Sequence, residues 1–179
     1  CNKVEKIILR RATPADAPKI LHITRDAFEK YAAEVRRREK IAALYETELD
    51  VINDIHDINV FVCEVDGDIQ GCVRVRIMEE GIAYLSRFAV TPEASSLGLG
   101  GLLLEKVKLE CIAMGARAIV LHTASRMRST VSFYLKNGYY IHSISKDSDY
   151  IRAVMVNELV PMDELFDYES IVDKLKSHK

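Results

Sequence analysis

The sequence has no tryptophan, four prolines and eight glycines among its 179 residues, too few of the last two for a collagen-like or low-complexity chain. Its four cysteines, Cys1, Cys63, Cys72 and Cys111, contain no CxxC pair and no metal-ligand spacing with histidine. That excludes a zinc ribbon and a disulfide scaffold. Cys63 and Cys72 could face each other across a hairpin, but buried free thiols in a reducing cytosol are the expectation. No apolar run approaches the roughly 20 residues that cross a bilayer, and Cys1-Asn2-Lys3-Val4-Glu5-Lys6 lacks the apolar core of a signal peptide. Charge of one sign is missing too. Against 27 acidic residues stand 25 basic ones, a net of -2, and non-specific nucleic-acid binding needs a basic surface. The run Arg36-Arg37-Arg38, flanked by Glu34 and Glu39, reads as a solvated helix face. The expectation is a soluble cytoplasmic protein with no membrane, nucleic-acid or metal partner.

What is present suits a single core: 49% hydrophobic and 29% charged residues. Ile7 to Ala12 reads as a strand. Thr13-Pro14-Ala15-Asp16 then starts a helix, with Thr13 or Asp16 as its cap, running to about Ala33. A second helical stretch is expected from Val35 to Ile55, with Ile41, Leu44, Tyr45, Leu49 and Ile52 on one side. Apolar runs at Asn59–Val65 and Ile69–Ile77 flank Asp66-Gly67-Asp68, a hairpin signal, and the alternation Val73-Arg74-Val75-Arg76-Ile77 turns its arginines toward water. Another strand runs from Ile82 to Val90. After a glycine loop, Leu99, Leu103, Val107 and Cys111 form one helical row, widened by Leu102, Leu104, Leu109 and Ile112 and ended by Gly115. Ala116–Thr123 is a strand buried on both faces, Thr130–Lys136 a helix, and Tyr139–Ser145 and Tyr150–Leu159 a final strand pair. Pro161 separates a last short acidic helix near Ser170–Ser177. The order makes an α/β (α+β) layer system around a mixed sheet.

The most informative stretch is Arg87 to Leu104. A strand, a turn begun by Pro92 and a loop holding Gly98, Gly100 and Gly101 open straight into a helix. Crowded backbone N–H groups and the positive end of a helix dipole bind phosphate without a basic side chain. A Walker loop needs a lysine where Leu102 stands, and a dinucleotide fingerprint belongs near the start of repeating βαβ units, not after antiparallel strands. A tight turn with glycines for packing alone is the plain alternative to a phosphate site.

Leu85-Ser86-Arg87-Phe88-Ala89-Val90-Thr91-Pro92, then Gly98-Leu99-Gly100, then Phe133-Tyr134-Leu135-Lys136-Asn137-Gly138-Tyr139 resemble, in that order, the GNAT superfamily of acetyl-CoA-dependent N-acetyltransferases. The resemblance runs from about Ile7 to Leu159. It implies a mostly antiparallel central sheet with helices on both faces, with residues 1–160 as the acetyltransferase domain and 161–179 as its helical extension. It also implies acetyl-CoA as cosubstrate, the pyrophosphate on the backbone of Ser95, Ser96, Gly98, Leu99, Gly100 and Gly101, and the pantetheine arm along Phe88, Ala89 and Val90. The family's loop pattern, (Gln or Arg)-x-x-Gly-x-(Gly or Ala), is met at Gly98 and Gly100, whereas Ser95 takes the Gln/Arg position and Ser96 that of a usual glycine.

Acyl transfer to an amine needs a neutral nucleophile, a polarised carbonyl and an acid for the departing thiolate. Tyr134 matches the family's tyrosine beside the coenzyme A sulfur, and a phenol of pKa about 10 is protonated at neutral pH; packing against Phe133 is its other reading. No general base stands out. The strand Tyr84–Val90 offers only Tyr84, Ser86 and Arg87; Glu46, Glu48, Asp50, Asp54, Asp57, Glu79 and Glu80 read as surface acids, and His122 as a base or a structural histidine. The function expected is transfer of an acetyl group to a small-molecule or peptide amine in a ternary complex, with a catalytically silent coenzyme A sensor as the alternative. The acceptor pocket is expected from Ala33 to Asp57 and Lys146 to Asp149, whose acidic bias favours a cationic amine, and a homodimer is common among such proteins.

Overall fold

The computed structural model describes residues 6–146 and 149–178. Cys1, and Asp147 and Ser148 of the expected acceptor loop, lie outside the described residues. Seven strands form a mixed, mostly antiparallel sheet in the order β1-β2-β3-β4-β5-β7-β6. The chain divides into two compact units, Cys1–Arg74 with Ser86–Val107 and Val75–Leu85 with Lys108–Lys179.

In the first unit β1 (Ile7–Arg11) lies antiparallel to β2 (Asn59–Val65), Ile7 opposite Val65 and Arg11 opposite Phe61. Asp66 (φ 50) and Gly67 (φ 86) are both left-handed, the geometry of a two-residue hairpin turn, and join β2 to β3 (Asp68–Ile77). Both expected residues sit at the helix start without a side-chain cap bond: Thr13 donates its N–H to the Asp16 carboxylate at 2.8 Å across the 3-10 turn Pro14–Asp16, and Asp16 precedes α1 (Ala17–Val35). Ile20, Leu21 and Ile23 of α1 share a core with Val60 and Val62 of β2, Cys72 of β3 and Val51 of α2 (Glu48–Asp57).

The long second helix expected over Val35–Ile55 is broken. Arg36 stops α1 in a left-handed conformation (φ 61), two 3-10 turns follow at Arg38–Lys40 and Ala42–Tyr45, and Thr47 caps α2 by accepting the N–H of Asp50. Ile41 and Leu44 are buried but Tyr45 and Leu49 are exposed, so no single apolar side exists. The three arginines are exposed, on a turn instead of a helix face.

In the second unit the first residues of β4 (Ile82–Val90) run parallel to β5 (Ala118–Ala124), Ile82 opposite Ala118 and Tyr84 opposite Val120. β7 (Arg152–Glu158) lies antiparallel to β5 and to β6 (Tyr140–Ser145), which carries an irregularity between Ile141 and Ser143. The expected C-terminal helix is Tyr168–Val172, followed by a 3-10 stretch at Asp173–His178. Numbered α6 in chain order, it supplies Tyr168, Ile171 and Val172 to a core with Ile82, Ala118, Val120, Val154 and Val156. β3, β4 and α4 (Leu99–Ala113) each have residues in both units. The α4 row Leu99, Leu103, Val107 and Cys111 is buried with Leu104, whereas Leu102, Leu109 and Ile112 are exposed, so the apolar stripe is narrower than expected.

Candidate active site

The expected phosphate loop is more structured than a loop. Thr91 accepts the N–H of Ala94 and starts a five-residue helix, α3 (Pro92–Ser96), with Pro92 in its first turn. Ser95 and Ser96 are therefore helical and exposed, and the Ser96 hydroxyl donates to the Glu93 carbonyl at 2.7 Å. The Ser95, Leu97 and Gly98 amides donate to the carbonyls of Thr91, Ala94 and Ser95. Gly98 then turns the chain at φ +76, a conformation that disfavours any side chain. α4 begins at Leu99, and its first backbone bond runs from the Leu102 N–H to the Gly98 carbonyl. The amides of Leu99, Gly100 and Gly101 precede that bond and have no intrahelical acceptor, which is what an anion at a helix start requires. That donor set fits a pyrophosphate. Phe88 and Val90 are half-buried and Ala89 is buried on β4, in the same unit as the loop.

One residue upstream, Arg87 takes φ 51 in mid-strand, which an L side chain adopts only against a steric cost of about 1–2 kcal/mol. The turned backbone sends its guanidinium to Glu46, where Arg87 Nε bonds Oε1, and leaves it 5.9 Å from the Phe28 ring. Arg74 reaches the other carboxylate oxygen of Glu46 and Oδ2 of Asp54, both at 2.8 Å. Arg25 donates to the Glu46 carbonyl at 2.8 Å. Glu46 and Arg74 are buried, against the expectation of a surface acid and a water-facing strand arginine. The reason is mutual: each supplies the counter-charge without which the other could not leave water. Arg74 Nε and Nη2 stay buried with no hydrogen bond among the described residues. Asp50 is occupied in capping α2, where the Thr47 N–H and hydroxyl hold its carboxyl below the usual carboxylate range. Two acids of the segment, Glu46 and Asp54, are thus neutralised from within.

Tyr134 lies in the second unit, on α5 (Arg128–Lys136), buried and packed edge-on against Phe133 and Tyr139 at centroid distances of 5.3 and 5.5 Å. Burial pushes its phenol above the ordinary value of 10, so the group is a proton donor at neutral pH. His122, on β5, is held at both ring nitrogens: Nδ1 is 2.7 Å from the Tyr84 hydroxyl and Nε2 is 2.9 Å from Glu169 Oε1. Cys63, Cys72 and Cys111 are free and buried, which rules out the Cys63–Cys72 bridge; desolvation pushes the Cys111 thiol up to about 12.

Residues 56–141 match the acetyltransferase (GNAT) domain model, a span holding the hairpin, the glycine turn and Tyr134. Over that span the chain is similar to GNAT acetyltransferases. Over 84 residues it is 31% identical to the IAA acetyltransferase of Azospirillum brasilense, an alignment covering 46% of this chain. The chain spans about half (55%) of the length of that curated relative. Likeness of fold to solved acetyltransferases extends beyond the matched span. The PaiA N-acetyltransferase of Thermoplasma acidophilum, solved with coenzyme A, superposes with a TM-score of 0.75 at 19% identity, covering 86% of this chain and 99% of that one. YncA of Salmonella typhimurium, solved with acetyl-CoA, gives 0.69 at 17% identity, covering 89% and 97%. Among the described residues no helix is long and apolar enough to cross a membrane.

Proposed function

We propose that the protein is an acetyl-CoA-dependent N-acetyltransferase that acts by direct attack in a ternary complex. The observation that carries the reading is the join of β4, the capped α3 turn, Gly98 at φ +76 and the donor-rich start of α4, inside the span that matches the GNAT domain. In this reading the amides of Leu99, Gly100 and Gly101 hold the coenzyme A pyrophosphate, and the exposed Ser95 and Ser96 lie just before them in the chain. Phe88, Ala89 and Val90 take the pantetheine arm, where a backbone amide polarises the thioester carbonyl. The ion pair of Arg87 with Glu46 fixes the backbone turn immediately before that segment. Tyr134 gives its proton to the thiolate as the carbon–sulfur bond breaks.

The acceptor is a small-molecule or peptide amine. The neutralisation of Glu46 and Asp54 by Arg74 and Arg87 weakens the case for a polycation drawn in by surface acid. Incubation with acetyl-CoA and a panel of spermidine, kanamycin, a lysine peptide and simple alkylamines, read by released thiol, tests the proposal. Amine-dependent thiol release is the expected result. Coenzyme A binding without turnover across the panel favours a silent sensor, and absence of binding defeats both readings.

A further inference from the structure

We infer that Tyr84, His122 and Glu169 form the proton relay that deprotonates the acceptor amine, an inference that rests on the transferase reading above. The three side chains come from β4, β5 and α6, all in the second unit, which also holds Tyr134. Tyr84 ends the parallel ladder of β4 with β5, and His122 lies two residues past the last paired residue, Val120. Both therefore stand at the carboxyl ends of the paired segments, where open α/β sheets present their ligands. The side chain of His122 is 6% exposed, that of Glu169 24%, and Tyr84 is half-buried, so the chain runs from the interior toward accessible surface.

The order of atoms sets the direction of proton flow. A carboxylate only accepts, so Glu169 Oε1 fixes the histidine proton on Nε2. Nδ1 is then an acceptor, and the Tyr84 hydroxyl at 2.7 Å donates to it. A phenol so aligned presents its oxygen to a further donor. When that donor is an ammonium group, its proton passes to the Tyr84 oxygen while the phenol proton passes to Nδ1, leaving a neutral amine, an intact phenol and an imidazolium beside Glu169. The amine attacks the thioester carbonyl. The nitrogen of the tetrahedral intermediate gives up a second proton, which replaces the one that Tyr134 hands to the thiolate. After transfer the Nδ1 proton returns through the Tyr84 oxygen to solvent, which restores the Nε2–H tautomer, so one proton leaves per acetyl group transferred. Tyr84 is the group that meets the amine; His122 and Glu169 are positioning residues behind it. Tyr84 from β4 and Glu169 from α6 are titratable groups in hydrogen-bond contact with His122, and its register partner on β7 is Val154.

The test compares kcat/KM against pH for the unaltered protein, Tyr84→Phe and His122→Gln, with coenzyme A affinity measured on each. Tyr84→Phe removes one oxygen. It is expected to lower kcat/KM by about 10²-fold or more while coenzyme A affinity stays within about twofold. His122→Gln should match that loss and flatten the acid limb of the profile, which a merely structural histidine would leave in place. Nitrogen NMR of the imidazole in the unaltered protein supplies a readout independent of turnover. The relay requires the proton on Nε2, and a proton resident on Nδ1 overturns it. Transfer by the unaltered protein that survives both substitutions with the same pH profile overturns the relay alone. Absence of transfer from every amine by the unaltered protein overturns the transferase reading and the relay with it.

Discussion

Two buried polar sites in this protein are kept in opposite electrical states. Around Glu46 the interior is ionic: one carboxylate lies between the guanidinium groups of Arg74 and Arg87, and Asp54 completes the set. Around Tyr134 it is neutral: a phenol packed on Phe133 and Tyr139, whose proton is held more tightly because burial penalises the phenolate. Burial alone did not decide between them. Where counter-charges are buried in the same place, ions persist; where only rings surround the group, the proton stays on. The first arrangement suits holding a backbone in shape, and the second suits giving up a proton.

The sharpest way to break the comparison is to remove one ion. Glu46→Ala leaves Arg74 and Arg87 without their shared partner, and the loss is expected to be about 3–5 kcal/mol of stability in urea unfolding. The double variant Glu46→Leu with Arg74→Met removes one charge of each sign and should recover most of that loss. A double variant as unstable as Glu46→Ala would mean that shape, not uncompensated charge, sets the cost. Tyr134→Phe is the matching change on the neutral side. It should leave stability within about 1 kcal/mol yet lower turnover by about 10²-fold at unchanged coenzyme A affinity; unchanged turnover would remove its role as acid.

The same contrast explains what could be read from the residues alone. The β2–β3 hairpin, the β4 strand and the buried row of α4 announced themselves through local period and turn chemistry, because each signal lies within a few residues. α3 was hidden: Pro92 through Ser96 reads as turn residues, and its helix depends on the Thr91 cap. Arg74 was misread because Val-Arg-Val-Arg-Ile is a half-wet strand until Glu46 and Asp54 are known to lie against it. Glu46 and Arg87 are 41 residues apart, Tyr84 and His122 are 38 apart, and His122 and Glu169 are 47 apart. No periodicity connects such positions. The only local trace was the scarcity of carboxylates on Tyr84–Val90, which pointed away from the strand without saying where to look.

Gly98 belongs to the legible part, and its substitution asks whether the loop is held by conformation or by sequence pattern. A Cβ there would meet nothing within 4 Å, so any penalty comes from φ +76 and not from crowding. Gly98→Ala is expected to cost about 1–2 kcal/mol and to weaken coenzyme A binding, measured by calorimetry, because the Leu99–Gly101 amides lose their common aim. Gly98→Asn, a residue that tolerates the left-handed region, should recover part of both. Equal damage from the two would locate the penalty in the ligand's approach.

The smallest effect separates the two interiors by pH. The phenols of Tyr134 and Tyr139 are both raised above 10 by burial. Such a group contributes stability that is fully present below its unfolded value and is lost as pH rises toward its folded one, because only the unfolded chain gives up the proton. Unfolding free energy should therefore fall between pH of about 10 and about 11, by about 1 kcal/mol for each phenol. Tyr134→Phe and Tyr139→Phe should each remove one share of that slope. Glu46→Gln, having no phenol to lose, should leave the slope unchanged while lowering the whole curve. A slope that survives both phenylalanine substitutions would mean that other phenols, Tyr140 and Tyr168 among them, carry the alkaline loss, for burial raises those as well.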